Sequence, residues 1–299
     1  MSYAVRGMTK DGAFRIFAAD TKDIVEEARK IHGTSPTATA VLGRALTAAA
    51  LLGLDLKTGR VMIQINGGGP IGEVLAEADA QGSVRGLVQK PNIHLTPQKG
   101  KLLVGQAVGR DGFISVTRDL GLKEPYQGST KLISGEIAED VSYYLTVSEQ
   151  IPSAVGLGVF VDTDNQVKAA GGFLIQTLPA ATDEQIANIE EVLKKLPPVT
   201  SLLREEELSP EEILYRIFGR DNVEILEKRP LAYRCRCSRD RVERALIALG
   251  PEEIEELIKK NEPARITCDF CNREYIFTVE ELEKLLSQIE EKSRRELDA

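Results

Sequence analysis

The sequence has no stretch that is both long and uncharged enough to span a membrane, and its opening Met1-Ser-Tyr-Ala-Val-Arg-Gly lacks the apolar core of a signal peptide. It also has no excess of positive charge, since 46 acidic residues oppose 38 basic ones and give a net charge of −8. That balance argues against general attraction to nucleic acid or to anionic membranes. We therefore expect a cytoplasmic protein that binds neither nucleic acid nor membrane.

Patterns typical of enzymes are also scarce. The only histidines, His32 and His94, lie far apart in the sequence and have no nucleophile motif beside them, so we expect ordinary core or surface roles for both. The glycines from Gly67 to Gly72 match G-x-G-x-x-G, but Pro70 and the next turn indicate a hairpin where a nucleotide-binding motif requires a helix. We expect a protein that is not an enzyme.

Only four cysteines are present, and they form two close pairs about thirty residues apart in the last quarter of the chain: Cys235, Cys237, Cys268 and Cys271. Thiolates with this spacing can close on one Zn²⁺ ion in a tetrahedral site. Chance grouping of inert buried thiols is one alternative, and structural disulfides are disfavoured because cytoplasmic thiols stay reduced. A nucleic-acid-binding zinc ribbon and a thioredoxin-like oxidoreductase are two further alternatives.

Residues 1–178 are rich in strand patterns and glycine turns, which predict an α+β domain with an antiparallel sheet. A nearly all-apolar helix is predicted from Thr37 to Gly53, and a second around Val141. Asp111-Gly112 is expected to join two hairpin strands. The predicted strands cover residues 60–66, 72–78, 83–88, 102–109, 113–119, 155–161 and 166–175.

Residues 179–232 are charged and short-segmented, which predicts a helical linker with little core of its own. Helices are expected after Thr182 and after Ser209-Pro210, each carrying an apolar stripe. Residues 233–299 form a small tail that cannot bury much apolar area, so we expect metal to stabilise it. Ser238 and Thr278 are predicted to cap two of its helices.

The cysteine pattern, placed behind an α+β domain and a helical linker, resembles the 33 kDa heat-shock chaperonin family of redox-regulated bacterial holdases. Three further segments look like family segments: Pro125 to Gly128, Gly135 to Ala154, and Gly171 to Pro179. The resemblance covers essentially the whole chain and shows no departure at the four cysteine positions.

The resemblance implies an ATP-independent chaperone that is inactive when reduced and bound to one Zn²⁺. Oxidation would form the disulfides Cys235–Cys237 and Cys268–Cys271, release the ion and unfold the tail together with the linker. Unfolding client proteins would then bind, and the oxidised protein would form a homodimer, as expected of a response to heat and oxidative stress. The candidate client surfaces are the two linker stripes, Ile186, Ile189 and Val192, and Ile213, Leu214, Ile217 and Phe218.

The two cysteine pairs should differ in reactivity. A Cys-x-Cys bridge closes a very small, strained ring, whereas Cys-x-x-Cys fits normal disulfide geometry more readily. We therefore predict that Cys268 and Cys271 oxidise first. Five arginines crowd the first pair and either favour its thiolates or form a solvated helix face: Arg234, Arg236, Arg239, Arg241 and Arg244.

Overall fold

The computed structural model describes residues 1–98 and 100–297, with side chains up to residue 289. These residues form two compact units, Met1–Arg234 and a second that begins at Cys235. The predicted α+β class with antiparallel sheets is confirmed. The division of the first unit into a domain of residues 1–178 and a linker of residues 179–232 stays a prediction.

The first unit alternates strands and helices along its whole length. Its strands are β1 (Tyr3–Thr9), β2 (Phe14–Asp20), β3 (Arg60–Gly68), β4 (Val74–Asp79), β5 (Ser83–Val88), β6 (Gly109–Asp119), β7 (Tyr126–Lys131), β8 (Ser153–Val161), β9 (Val167–Thr177), β10 (Val223–Pro230) and β11 (Ala232–Tyr233). Its helices are α1 (Lys22–His32), α2 (Pro36–Gly53), α3 (Val104–Val108), α4 (Ala138–Val147), α5 (Asp183–Lys195), α6 (Val199–Arg204) and α7 (Pro210–Phe218).

Two sheets organise this unit. The first has five strands in the order β10-β1-β2-β9-β8, and the second has six in the order β11-β5-β4-β3-β6-β7. All neighbouring strands pair antiparallel except β11, which runs parallel to β5. Strand β10 comes from the predicted linker, and β11 joins its last residue, Ala232, to Tyr233, the first residue of the predicted tail. The sequence pattern did not indicate either strand.

Helix α2 forms the centre of the first unit. It packs against β3, β4 and β5 of the six-stranded sheet and against β2, β8 and β9 of the five-stranded sheet. Every residue of α2 except Pro36 and Arg44 is buried. Its many small side chains allow this close packing, and a Cβ at Gly43 would lie 2.7 Å from Val25 Cγ1. The predicted apolar helix is thus confirmed.

The five-stranded sheet is apolar on both faces. Phe17 and Ala19 of β2 face the α2 core, whereas Ile16 and Ala18 join a second core on the opposite face. Helices α5, α6 and α7 cover that second face. Both predicted stripes pack there, so the linker helices dock on the sheet in this structure. The buried side chains that the linker contributes are Val199, Leu202, Ile213, Leu214, Ile217 and Val223.

The prediction for residues 102–112 was wrong. The segment forms helix α3, and Asp111-Gly112 lies inside strand β6 instead of at a hairpin turn. Gly109 ends the helix with a positive φ of 81°. At Gly112 a Cβ would collide with the carbonyl oxygen of Asn66, where the β3–β6 register shifts. Glycine therefore serves a close strand approach here, a role that local turn signals do not distinguish.

The second unit is small. It contains α8 (Arg239–Leu249), α9 (Pro251–Lys259), β12 (Ala264–Thr267), β13 (Glu274–Phe277) and α10 (Val279–Leu297), with β12 and β13 paired antiparallel. The predicted caps are confirmed, because Ser238 Oγ accepts from Arg241 N and Thr278 Oγ1 accepts from Glu281 N. Its described buried core is limited to Leu246, Ile254, Ala264, Tyr275, Phe277, Leu282 and Leu285.

Candidate metal centre

Two short segments of the second unit carry the cysteines. Cys235 and Cys237 lie in a segment without regular secondary structure directly before Ser238, the cap of α8. Cys268 and Cys271 lie in the turn between β12 and β13, where the amides of Cys271 and Asn272 donate to the carbonyl of Cys268. Asn272 adopts a positive φ of 54°, which lets the chain reverse into β13. The Cys-x-x-Cys turn thus leads into a strand, unlike the helix start expected in a thioredoxin-like enzyme.

The four sulfur atoms converge on one point. All four Sγ atoms lie within 4.8 Å of one another. Cys235 Sγ is 3.6 Å from Cys268 Sγ, and Cys237 Sγ is 3.4 Å from Cys271 Sγ. In a tetrahedral site with Zn–S bonds near 2.3 Å, the sulfurs would be about 3.8 Å apart. The separations therefore fit a tetrathiolate site, and all four cysteines are free thiols.

A tyrosine hydroxyl supports one of these sulfurs. Tyr275, on β13, donates from its Oη to Cys237 Sγ at 3.1 Å. Burial acts to raise the pKa of the Cys237 thiol, but hydrogen bonds from Tyr275 and the other cysteines outweigh burial and lower that pKa to about 7. The sequence alone allowed Tyr275 either a core role or a base-stacking role in a nucleic-acid-binding zinc ribbon, and it did not indicate a contact with sulfur. The contact arises because the pairing of β12 with β13 brings the Tyr275 side chain to the sulfurs, and no local sequence pattern marks it.

The other side of the site favours neutral thiols in the absence of a cation. Burial is the largest cause that raises the pKa of Cys268, and it raises that of Cys271 to about 12. Backbone hydrogen bonds from Phe270 and Arg273 oppose this effect at the two sulfurs. Four clustered thiolates repel one another, so the arrangement calls for a cation that deprotonates and holds all four.

Two arginines of the predicted run, Arg239 and Arg241, make contacts within the second unit. Arg239 pairs with Glu281 at 2.7 Å and lies over the ring of Phe277, and Arg241 donates to the carbonyl of Arg236 at 2.9 Å. The cysteines also influence a basic residue outside the run. Arg273 has a raised pKa because it bonds to Tyr275 and faces the negative charge of Cys237 and Cys271.

The remaining motifs lie far from the cysteines in sequence and belong to the first unit. His32 Nε2 is 3.2 Å from the hydroxyl of Tyr233. His94 lines a surface cavity beside α2. The glycines from Gly67 to Gly72 join the antiparallel strands β3 and β4, which confirms the predicted hairpin. Among the described helices, none combines the length and the apolar character needed to cross a membrane.

The structure therefore combines a two-sheet α+β unit with a small module built around four converging thiols. Comparisons with known proteins place this arrangement in a family. A sequence model described as Hsp33 protein matches residues 2–278. The 33 kDa chaperonin of Geobacter sulfurreducens is 50% identical over 284 residues, covering 95% of this chain and 94% of its own. That of Bacillus subtilis is 46% identical over 290 residues, covering 96% and 99%.

A solved structure agrees with these relatives. The crystal structure of the 33 kDa chaperonin of Thermotoga maritima matches with a TM-score of 0.86 and 41% identity, covering 95% of this chain and 97% of the other. The chain belongs to the Hsp33 family. The names of its relatives support a chaperone function, which implies unfolded or partly folded proteins as binding partners.

Proposed function

We propose that this protein is a redox-regulated, ATP-independent holdase of the cytoplasm that is held inactive by one Zn²⁺ ion. The convergence of four free thiols within 4.8 Å carries this proposal. Cys235, Cys237, Cys268 and Cys271 would hold the ion as thiolates. When bound, Zn²⁺ supplies folding free energy to the module, and no catalytic step is proposed for it.

The thiols themselves would act as the sensor. All four cysteines are partly exposed, so a small oxidant can reach them. Each disulfide forms as two thiols lose two electrons and two protons to a two-electron oxidant, such as hypochlorite, which becomes chloride and water. Both pairs of sulfurs then stop being thiolate donors, and the site loses its affinity for the ion.

The linker is the proposed source of client-binding surface. In this structure α6 and α7 shield Ile16, Phe173 and Ile175 of the five-stranded sheet. Release of the linker would expose this sheet face as well as the helix stripes, giving a large apolar surface of the kind that binds unfolded chains. The sheet face therefore extends the client surface beyond the stripes considered from the sequence.

Among the linker helices α5, α6 and α7, α5 has the weakest anchoring. It has no fully buried residue, although the capping box between Thr182 and Gln185 defines its start. Ile186, Ile189 and Val192 are only partly buried against the sheet. Segments with few buried apolar contacts open at low free-energy cost. We propose that α5 detaches first when the linker unfolds.

Disulfide mapping tests the redox step. We predict that oxidised protein contains Cys235–Cys237 and Cys268–Cys271, that one zinc ion per chain is released, and that the second bond appears first. The alternative disulfides would link one sequence pair to the other, since Cys235 Sγ lies 3.6 Å from Cys268 Sγ and Cys237 Sγ lies 3.4 Å from Cys271 Sγ. Peptide mass spectrometry over a peroxide time course distinguishes them. Disulfides between Cys235 and Cys268 or between Cys237 and Cys271 would hold the two cysteine segments together and contradict the proposed unfolding.

The hydroxyl of Tyr275 should contribute to metal affinity. We expect Tyr275→Phe to weaken zinc binding about tenfold, because partners that orient metal ligands typically contribute ten- to hundredfold. Competition with a chromogenic chelator under reducing conditions measures the change. Tyr126→Phe is the matched control, since Tyr126 lies exposed on β7 of the other unit. Equal zinc affinities for Tyr275→Phe and wild type would show that the Tyr275 hydroxyl does not contribute to metal binding.

Activation should also change the oligomeric state. We propose that the oxidised protein forms a homodimer, because the newly exposed apolar surface favours self-association. Size-exclusion chromatography with light scattering on the reduced and oxidised forms measures the mass directly. A monomer in both forms would remove dimerisation from the proposal and leave the thiol switch intact.

A further inference from the structure

Helix α7 is attached to the five-stranded sheet at its first turn by three side chains that contact one another. The hydroxyl of Tyr3, at the start of β1, donates to Glu211 Oε2 of α7 at 2.7 Å. Lys228 Nζ, on β10, donates to Glu211 Oε1 at 2.9 Å and lies 3.9 Å from the centre of the Tyr3 ring. A single carboxylate of the linker therefore joins α7 to two strands. We call Tyr3, Glu211 and Lys228 the α7 latch.

The carboxylate of Glu211 is the central acceptor of the latch. Its side chain is only 20% exposed. Burial acts to raise the pKa of Glu211, but the hydrogen bonds from Tyr3 and Lys228 outweigh burial and lower that pKa. The carboxylate is therefore charged near neutral pH, and hydrogen bonds to a charged acceptor are about twice as strong as neutral ones. Loss of one of these bonds should measurably weaken the attachment of α7.

The opposite end of α7 has the features of a hinge. Gly219 ends the helix with a φ of 83°, a conformation that glycine adopts without strain. Beyond it, β10 pairs with β1 from Val223 opposite Thr9 to Pro230 opposite Tyr3. The chain after α7 is thus fixed to the sheet. Hinges are usually a few residues at the ends of elements, and rotation at Gly219 would move the helix while the strand stays in place.

Between the latch and the hinge, α7 covers part of the apolar face of the five-stranded sheet. It packs against β1, β2 and β9, and three of its side chains are buried in the same core as Phe14 and Ile16 of β2. By contrast, α5 has no fully buried residue, and its Gln185 donates to Asp11 in an exposed hydrogen bond of 2.8 Å. Helix α7 should therefore stay docked under conditions that already release α5.

We propose that α7 is a lid, hinged at Gly219 and held closed by the α7 latch, which opens after α5 has detached while β10 stays paired with β1. Opening would expose Phe14 and Ile16, so the latch controls how much of the sheet face is available at each stage of linker release. The consequence for client binding rests on the proposed holdase function. The movement of the helix does not, because it can be measured in the reduced protein without a client.

Hydrogen exchange measured by mass spectrometry on the full-length, reduced, zinc-loaded protein tests the lid. We expect Tyr3→Phe to raise the exchange rate of the α7 amides about tenfold, because a hydrogen bond to a charged group is lost while the ring remains. Amides of β10 should exchange as in wild type. Tyr215→Phe is the matched control on α7, since the Tyr215 ring contacts Arg220 and its hydroxyl has no hydrogen bond within the described residues.

A double variant distinguishes the latch from the general stability of the helix. Glu211→Ala also removes an acidic residue from the first turn of α7, which by itself weakens a helix. Tyr3→Phe should add little to the exchange rate of Glu211→Ala, because the acceptor of the Tyr3 hydroxyl is already gone. A full tenfold further increase in the double variant would show that the two side chains act separately and would contradict the latch.

Light scattering of an aggregating client tests the consequence for client binding. At equal zinc release, oxidised Tyr3→Phe should suppress aggregation at a lower ratio of protein to client than oxidised wild type. Faster exchange of α7 without this gain would support the lid and contradict the sheet face as a client surface. The lid itself is overturned if α7 of Tyr3→Phe exchanges like wild type, if β10 loses protection together with α7, or if Tyr215→Phe has the same effect.

Discussion

Removing zinc from the reduced protein is expected to unfold the module that begins at Cys235 while the first unit keeps its structure. The module has a very small buried core, and a core of that size supplies only a few kcal/mol. Structural zinc supplies an apparent ~10–16 kcal/mol near neutral pH. We therefore expect the ion to decide whether the module is folded. The first unit, with α2 buried between two sheets, does not depend on the cysteines.

Hydrogen exchange measured by mass spectrometry tests this prediction under reducing conditions. Amides of α8, α9, β12 and β13 should lose protection when a strong chelator is added, and amides of α2 and β3 should not. The same chelator saturated beforehand with zinc is the control. Retained protection in the module after zinc removal would show that its core is sufficient and that the ion is not the switch.

Loosening the linker is expected to produce holdase activity without oxidation. Leu202 on α6 is fully buried in the core beneath the linker, so Leu202→Ala should destabilise the docked helices by about 2–5 kcal/mol. A fraction of reduced, zinc-loaded molecules would then expose the sheet face. We expect the variant to suppress client aggregation while its four thiols remain free.

A matched variant separates linker release from general instability. Leu46→Ala removes a fully buried leucine of α2 from the other core, where no linker helix contributes. Both variants should lose comparable stability in urea unfolding, but only Leu202→Ala should act as a holdase in the reduced state. Equal activity in the two variants would assign the effect to overall unfolding and contradict a specific role for the linker.

The candidate site could be predicted from the sequence because its residues follow short-range patterns. Two cysteine pairs, a serine cap after Cys237 and a Thr278–Glu281 capping box are short-range patterns, and the structure contains the caps where they were predicted. The assignment of the four cysteines as metal ligands stays a prediction. What the sequence could not supply is the Tyr275 contact, since it depends on the pairing of β13 across the turn.

The fold was harder to predict where it depends on contacts between segments that are far apart in the sequence. Strand β10 completes the first sheet by pairing with β1, from the opposite end of the unit. Strand β2 is buried on both faces, so it lacks the alternation that marks a half-buried strand. Helix α3 is only five residues long, and short apolar runs do not distinguish helix from strand. Tertiary contacts decide each of these elements.

Light scattering of a thermally unfolding client is the most direct test of a zinc-gated holdase. The measurement compares reduced, zinc-loaded protein with protein treated with hypochlorite, while a chromogenic chelator reports the released zinc. We predict that aggregation is suppressed only in the sample that has lost zinc, without added ATP. Zinc release without suppression, or equal suppression by the reduced protein, would contradict it.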